Sequence, residues 1–175
     1  FSNSSYLMAH TGLLLKPLDF TLDAYRMVAK NPNLISGYLN TILIVGVGTF
    51  SSTLVTALGA FVMSRKPFPF KRVLMFMMIF TMYFSGGMIP TYILNNNWLH
   101  LANNRLVLIL PALVTTYNLI ILRTGFEAIP DSLEESAKLD GAKDITILFK
   151  IIIPVAMPSI AVIILYYAVG YWNSW

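Results

Sequence analysis

Residues 123–150 read Arg123-Thr-Gly-Phe-Glu-Ala-Ile-Pro-Asp-Ser-Leu-Glu-Glu-Ser-Ala-Lys-Leu-Asp-Gly-Ala-Lys-Asp-Ile-Thr-Ile-Leu-Phe-Lys150, and this run holds six of the chain's eight acidic residues. Outside it, charge almost disappears. Residues 31–64, 73–104, 106–122 and 151–175 contain no Asp, Glu, Lys or Arg. A charge at the centre of a bilayer costs about 2.5–3.5 kcal/mol on insertion scales, so the uncharged stretches are the expected crossings. Their apolar portions predict four spans, at about 38–63, 73–94, 106–122 and 151–175. The third, with 17 residues, is at the short limit for a crossing of roughly 17–25 residues. Helices are the default, because the alternation of a transmembrane barrel strand is absent.

Composition agrees. The 175 residues are 57% hydrophobic and 11% charged, with a mean hydropathy of +0.69. Soluble domains run nearer a quarter charged, so a single water-soluble globule is excluded. With no cysteine, disulfides, thiolate metal sites and Cys nucleophiles are excluded together. His10 and His100 stand far apart without a carboxylate cluster, which argues against a histidine metal site. The chain starts at Phe1 and stops at Trp175 inside an apolar run, so it is expected to be an internal portion of a longer polypeptide. Residues 6–15 lack the preceding basic region of a signal peptide and are too short to span. Asn3-Ser4-Ser5 fits a glycosylation pattern, but so short a motif carries little weight.

Basic residues set the orientation. The formal charge of +4 is unevenly placed: residues 65–72 and 123–150 together hold eight Lys and Arg, the opposite side four. The positive-inside rule puts loops 65–72 and 123–150 in the cytoplasm. Residues 1–37 then form an extracytoplasmic lead-in, with a short polar helix expected over 21–29, and 98–104 face the same way.

Within the acidic loop, Ser132 followed by Glu135 reads as a capping box, which predicts a helix beginning there. Gly141 suits the left-handed position that closes a helix, so this helix should be about nine residues long. A second helix is expected from about Ala142, with Ile145, Leu148, Phe149 and Ile152 on one face. A short polar helix held by a tight turn can seat in a groove of a cytoplasmic partner and pass its motion to the next span. It can equally be a well-capped connecting loop.

Glu135-Ser136-Ala137, Asp140-Gly141-Ala142, Phe149, Ile152, Pro154 and Pro158 resemble the EAA loop of ABC importer permeases. The usual pattern is Glu-Ala-Ala, three residues to Gly, and an Ile two places before Pro. Ser136 departs from it, a small-for-small change. Phe84-Ser-Gly-Gly-Met-Ile-Pro-Thr-Tyr92, Thr21-Leu-Asp-Ala-Tyr25, Asn40-Thr41 and Trp172-Asn173 extend the resemblance to the carbohydrate-uptake permeases, related to the maltose-type ones, and in particular to their LplC/YtcP-like oligosaccharide branch. The resemblance covers essentially the whole chain. It implies an all-α polytopic transmembrane bundle of the type I ABC importer permease (MetI-like) fold, with lead-in 1–37 and transmembrane domain 38–175. The family has six spans, so the first and last are expected to be missing.

The resemblance implies the rest of the functional reading. The chain would be a multi-pass subunit of a bacterial plasma (inner) membrane importer of carbohydrates, particularly oligosaccharides, and itself no enzyme. The 132–140 helix would be the coupling helix docked on a dimer of ABC ATPase subunits, with Glu135 a polar anchor and Gly141 the essential turn. Ser132, Ser136, Ala137, Asp140, Ala142, Phe149 and Pro154 complete that coupling set. No cofactor is expected on this chain; ATP and Mg would sit on the ATPase. The remaining partners would be a second homologous permease subunit, an extracytoplasmic solute-binding protein and the lipid bilayer, with no nucleic acid.

No Asp, Glu, Lys or Arg lies inside the four charge-free stretches, although ion-coupled transporters usually place an ionisable group there. Gly86-Gly87 and Pro90 interrupt the second stretch, and such breaks are tolerated where backbone lines a cavity or packs tightly. On the cavity reading, Tyr83, Ser85, Thr91 and Tyr92 offer aromatic faces and hydroxyls to a polar solute. On the other, the glycines permit close packing and the tyrosines form an interfacial belt. Asn118 and Asn173 belong either to interhelical bonds or to the solute path. Met75, Met77, Met78, Met82 and Met88 read as packing, and Pro154 and Pro158 as bending or starting the fourth helix. A membrane-embedded enzyme would need carboxylates or bases that the spans lack, and no phosphate-loop glycine pattern occurs. Two alternatives stay open: an ABC permease for a non-sugar solute such as peptides, and a non-transporting membrane scaffold.

Overall fold

A computed structural model of the chain describes Gly12 and residues 21–65 and 69–174, leaving out the side chain of Ala24. The Asn3–Ser5 pattern, His10, most of the lead-in and Lys66 lie outside the described residues. The described segments are helical: α1 Asp23–Ala29, α2 Pro32–Arg65, α3 Lys71–Tyr83, α4 Met88–Ile93, α5 Leu106–Ile109, α6 Thr116–Glu127, α7 Asp131–Leu139, α8 Asp144–Ile147, α9 Ile153–Val155 and α10 Met157–Trp172, with single π-helical turns at Leu94–Trp98 and Leu148–Ile152. Two compact units, Phe1–Thr41 and Ile42–Trp175, divide inside α2.

Helix α2 begins with Pro32 at its first position, where a missing N–H costs nothing. Its 34 residues correspond to about 51 Å at 1.5 Å per residue, well beyond the roughly 30 Å of bilayer hydrocarbon. It is the one described helix long and apolar enough to cross by itself. The expected boundary at residue 37 therefore falls within a helix, since nothing between Pro32 and Tyr38 is a strong enough breaker to stop it.

The other three predicted spans are not straight helices. Lys71–Tyr83 and Met88–Trp98 meet at a bend of 113°. The break contains Gly87 at φ 84°, and α3, with 13 residues, is about 20 Å long and cannot cross alone. The third stretch contains only the four-residue α5 before the helix stops around Pro111, whose missing N–H interrupts the ladder. Helix α6 then starts at Thr116 and continues past residue 122 to Glu127. In the fourth stretch, Asp144–Val155 and Met157–Trp172 form an angle of 87°. Pro158 lies in the first turn of α10 and Pro154 in α9, so the prolines both bend and start the segment.

Small residues let α2 pack closely. Gly48, Ser52, Thr56 and Ala60, four apart, are all buried along one ridge, as membrane helix contacts favour. The larger core joins Ala57 and Phe61 of α2 to Leu122 and Phe126 of α6, Ala137 of α7, Ile147, Leu148 and Ile152, and Ile160 and Ile163 of α10. A smaller one joins Ile44, Ile109, Tyr167 and Tyr171. Two tyrosine hydroxyls run between the helices: Tyr167 pairs with Thr56 at 2.7 Å and Tyr171 with Ser52 at 2.8 Å. Tyr167 also accepts from the Thr115 N–H at 3.2 Å. A donor left without a helical partner by the 110–115 break is thus satisfied inside the protein, as irregular backbone at membrane depth must be.

Candidate coupling site

Helix α7 stands at the far end of α6, carried on the larger core by Ala137. Its start differs from the expected capping box. Pro130 occupies the cap position with φ −58° and ψ 135°, no side chain caps the helix, and Ser132 is already its second residue. Proline's fixed φ with an extended ψ turns the chain into the helix one residue before Ser132, so the hydroxyl cannot serve as cap. Asp131 and Glu134 instead place negative charge in the first turn, where the helix dipole favours it.

The end is as expected. The Gly141 N–H donates to the Lys138 carbonyl at 3.0 Å and the Ala142 N–H to the Ala137 carbonyl at 2.9 Å, the two bonds of a Schellman closure. Gly141 has φ 80°, a conformation that costs an L-residue about 1–2 kcal/mol. The next helix has a different phase from the one predicted. Ile147, Leu148 and Ile152 are fully buried, whereas Ile145 and Phe149 stand exposed. The π turn at Leu148–Ile152 wedges an extra residue into the ladder and rotates the apolar face.

What anchors α7 is Arg65, the last residue of α2. Its side chain is 4% exposed. Nη2 donates to the carbonyls of Phe126 at 2.6 Å and Ile129 at 2.8 Å. Nη1 pairs with the Asp131 carboxylate, and Nε lies 3.8 Å from Glu134. Glu134 is buried in turn and accepts from Lys138 Nζ at 2.6 Å. The hydrogen bond from Lys138 to Glu134, with the charges of Glu134, Asp144 and Glu135 adding to it, holds the ammonium above its ordinary pKa. Arg65 therefore ties three elements together: the end of α2, the carbonyls closing α6, and the first turn of α7. Sequence reasoning counted Arg65 only as an orientation signal. Its partners lie at least 61 residues away in the chain, and nothing local reveals them.

The opposite face of α7 points outward. Ser132, Leu133, Glu135, Ser136, Leu139 and Asp140 are exposed, Leu139 at 90%. Ser136 turns its hydroxyl back to the Ser132 carbonyl at 2.9 Å, as serine does within helices, so it presents little more polarity than the alanine of the usual pattern. Of the remaining coupling residues, Ala137 is buried and Ala142 half-buried, while Pro154 lies in α9.

The six residues suggested for a solute path are dispersed, Thr91 lying next to Tyr92 on α4. Tyr83 ends α3, Ser85 lies in the break and Tyr92 on α4, all exposed; Asn118 is buried in α6, and Asn173 is the exposed cap of α10. Tyr92 lines a cavity of about 420 Å³ with Thr91, Asn95, Asn96 and Asn103. Those asparagines were not singled out in the sequence.

Residues 50–174 match the family described as "Binding-protein-dependent transport system inner membrane component". The chain is 43% identical over 162 residues to the polygalacturonan/rhamnogalacturonan transport system permease protein YtcP of Bacillus subtilis (strain 168), covering 93% of this chain and 56% of that protein. It is 38% identical over 167 residues to protein LplC of the same organism, covering 95% and 56%. The chain thus spans little more than half the length of these relatives. It superposes with a TM-score of 0.88 and 35% identity on a chain from the crystal structure of a bacterial ABC transporter involved in the import of the acidic polysaccharide alginate, covering 95% of this chain and 59% of that one. Bent and broken segments are therefore part of an ABC importer permease fold, and the chain belongs to the family of binding-protein-dependent transport system inner membrane components.

Proposed function

We propose that this chain is part of the membrane-spanning subunit of an ATP-driven importer of oligosaccharides, and that α7 is the helix through which ATPase subunits drive it. The observation that carries this reading is the Arg65 joint. A helix meant to transmit force needs a stiff inner attachment and a free outer face, and α7 has both: Arg65 and Glu134 hold it from within, and Leu133, Glu135, Ser136 and Leu139 are left exposed. A mere connecting loop requires neither.

ATP and Mg belong to the partner ATPase dimer in this reading, and closure of that dimer pushes α7. Through Arg65 the push reaches α2 and α6 together, switching the cavity between the two faces of the membrane. A second permease subunit completes the enclosure, and a solute-binding protein delivers the sugar from outside. The support for a saccharide is the pair of relatives named for polygalacturonan/rhamnogalacturonan and for alginate; both are uronate-containing polymers, so acidic oligosaccharides are the first to test alongside neutral ones.

The test uses the complete transporter reconstituted in vesicles. In the wild type, one class of oligosaccharide with its binding protein stimulates ATP hydrolysis and is taken up. Gly141→Val strains the turn at φ 80°, because a β-branched residue does not tolerate positive φ. We expect it to assemble with the ATPase yet lose at least tenfold in uptake per ATP hydrolysed. Unchanged coupled uptake in that variant would sink the coupling assignment, and absence of stimulation by any saccharide would sink the sugar.

A further inference from the structure

The start of α3 makes an unusual electrostatic demand. Its first two residues are Lys71 and Arg72, it has no acidic residue in its first turn, and no side chain caps it. Helix N-termini carry partial positive charge and unsatisfied N–H groups, so they favour anions and disfavour cations. Two cations there add like charge to like.

Arg123 approaches the same place from α6. Pro69, Lys71, Arg72, Val73, Met75, Phe76, Ile79 and Arg123 enclose an open pocket of about 1050 Å³. Glu127 accepts from Arg123 at 2.8 Å and offsets that charge, while Lys71 Nζ lies 3.5 Å from the neutral Ser64 carbonyl, so Lys71 and Arg72 leave a surplus of positive charge. The other wall is apolar and open: Val73, Phe76 and Ile79 are exposed. The pocket sits at the start of α3, where its apolar run gives way to Lys71 and Arg72, at the border of a membrane protein's apolar zone.

We propose that this pocket binds one anionic phospholipid, its phosphate between Lys71, Arg72, Arg123 and the first N–H groups of α3, its acyl chains along Val73, Phe76 and Ile79. Basic pockets between membrane helices recognise anionic head groups on these terms. The apolar wall distinguishes a lipid from free phosphate, which has no use for exposed valine, phenylalanine and isoleucine. The site does not depend on which solute the transporter carries.

The test is lipid binding to the complete transporter, read by native mass spectrometry in detergent titrated with phosphatidylglycerol or phosphatidylcholine. Each basic residue near an anionic lipid surface is worth about fivefold in affinity. Lys71→Gln with Arg72→Gln should therefore weaken phosphatidylglycerol binding about 30-fold and leave phosphatidylcholine unchanged. Arg72→Gln alone, an exposed change without a fold-bearing contact, should weaken it about fivefold. Lys143→Gln, remote from the pocket, is the control and should not change it. Equal binding of the two lipids, insensitivity to both variants, or displacement by millimolar inorganic phosphate would each overturn the proposal.

Discussion

The Arg65 side chain has 4% exposure and reaches two backbone carbonyls and two carboxylates. Replacing it leaves buried acceptors without donors, at about 1–3 kcal/mol for each such group. Arg65→Ala should destabilise the transporter by about 3 kcal/mol, seen as a lowered melting temperature in detergent. Arg65→Lys should recover only part of this, since an ammonium is a point charge and cannot match the planar fork; a melting temperature for Arg65→Lys equal to that of the wild type would show the joint to be simple charge pairing. At this scale Gly141 was legible, because a turn ending a short helix has one preferred residue. Glu134 was not. Glu134 and Glu135 are neighbours in sequence, and only the phase of α7 decides that Glu134 turns inward.

Helices were legible as stretches and illegible as shapes. Hydropathy sees that residues 106–122 are apolar but not that Pro111 stops α5 and that α6 restarts at Thr116. The break survives because Tyr167, 52 residues on, takes up the Thr115 N–H, and such long-range rescue leaves no local mark. Removing that hydroxyl in Tyr167→Phe should cost about 1–3 kcal/mol, because Thr56 and Thr115 both lose a buried partner. Combining it with Thr56→Val should cost less than the sum of the two, as for residues in one network; strict additivity in thermal melts would mean the seam is not a unit. Gly48 is the seam's steric limit. A methyl group there would stand 2.8 Å from the Tyr171 ring, so Gly48→Ala should displace the ring, weaken the Ser52 bond and lower the melting temperature.

For the molecule as a whole, charge placement and composition were sufficient for a membrane-embedded, helical chain, because the energetics of burying charge in a bilayer act on the sequence directly. The bends of 113° and 87° are tertiary facts, set by packing partners that hydropathy cannot see. Orientation is open to a clean experiment, since residues 1–175 contain no cysteine. The single substitutions Ser136→Cys and Asn97→Cys, both at exposed positions, should react with impermeant thiol reagents from opposite sides: position 136 only in inverted vesicles, position 97 only in intact cells with the outer face open. Labelling of position 136 in intact cells would reverse the assignment of the 123–150 loop.

The acceptors that Arg65 finds on α6 and just after its end are main-chain carbonyls, those of Phe126 and Ile129. No substitution at 126 or 129 can delete a carbonyl. Under random mutagenesis the joint is therefore lopsided: one side has a single irreplaceable codon, and the other side contributes no side chain to the joint, Phe126 and Ile129 answering only to the packing of the core. A saturation screen for uncoupled transport should recover position 65 far more often than 126 or 129, and should return Asp131, the exposed member of the set, only weakly.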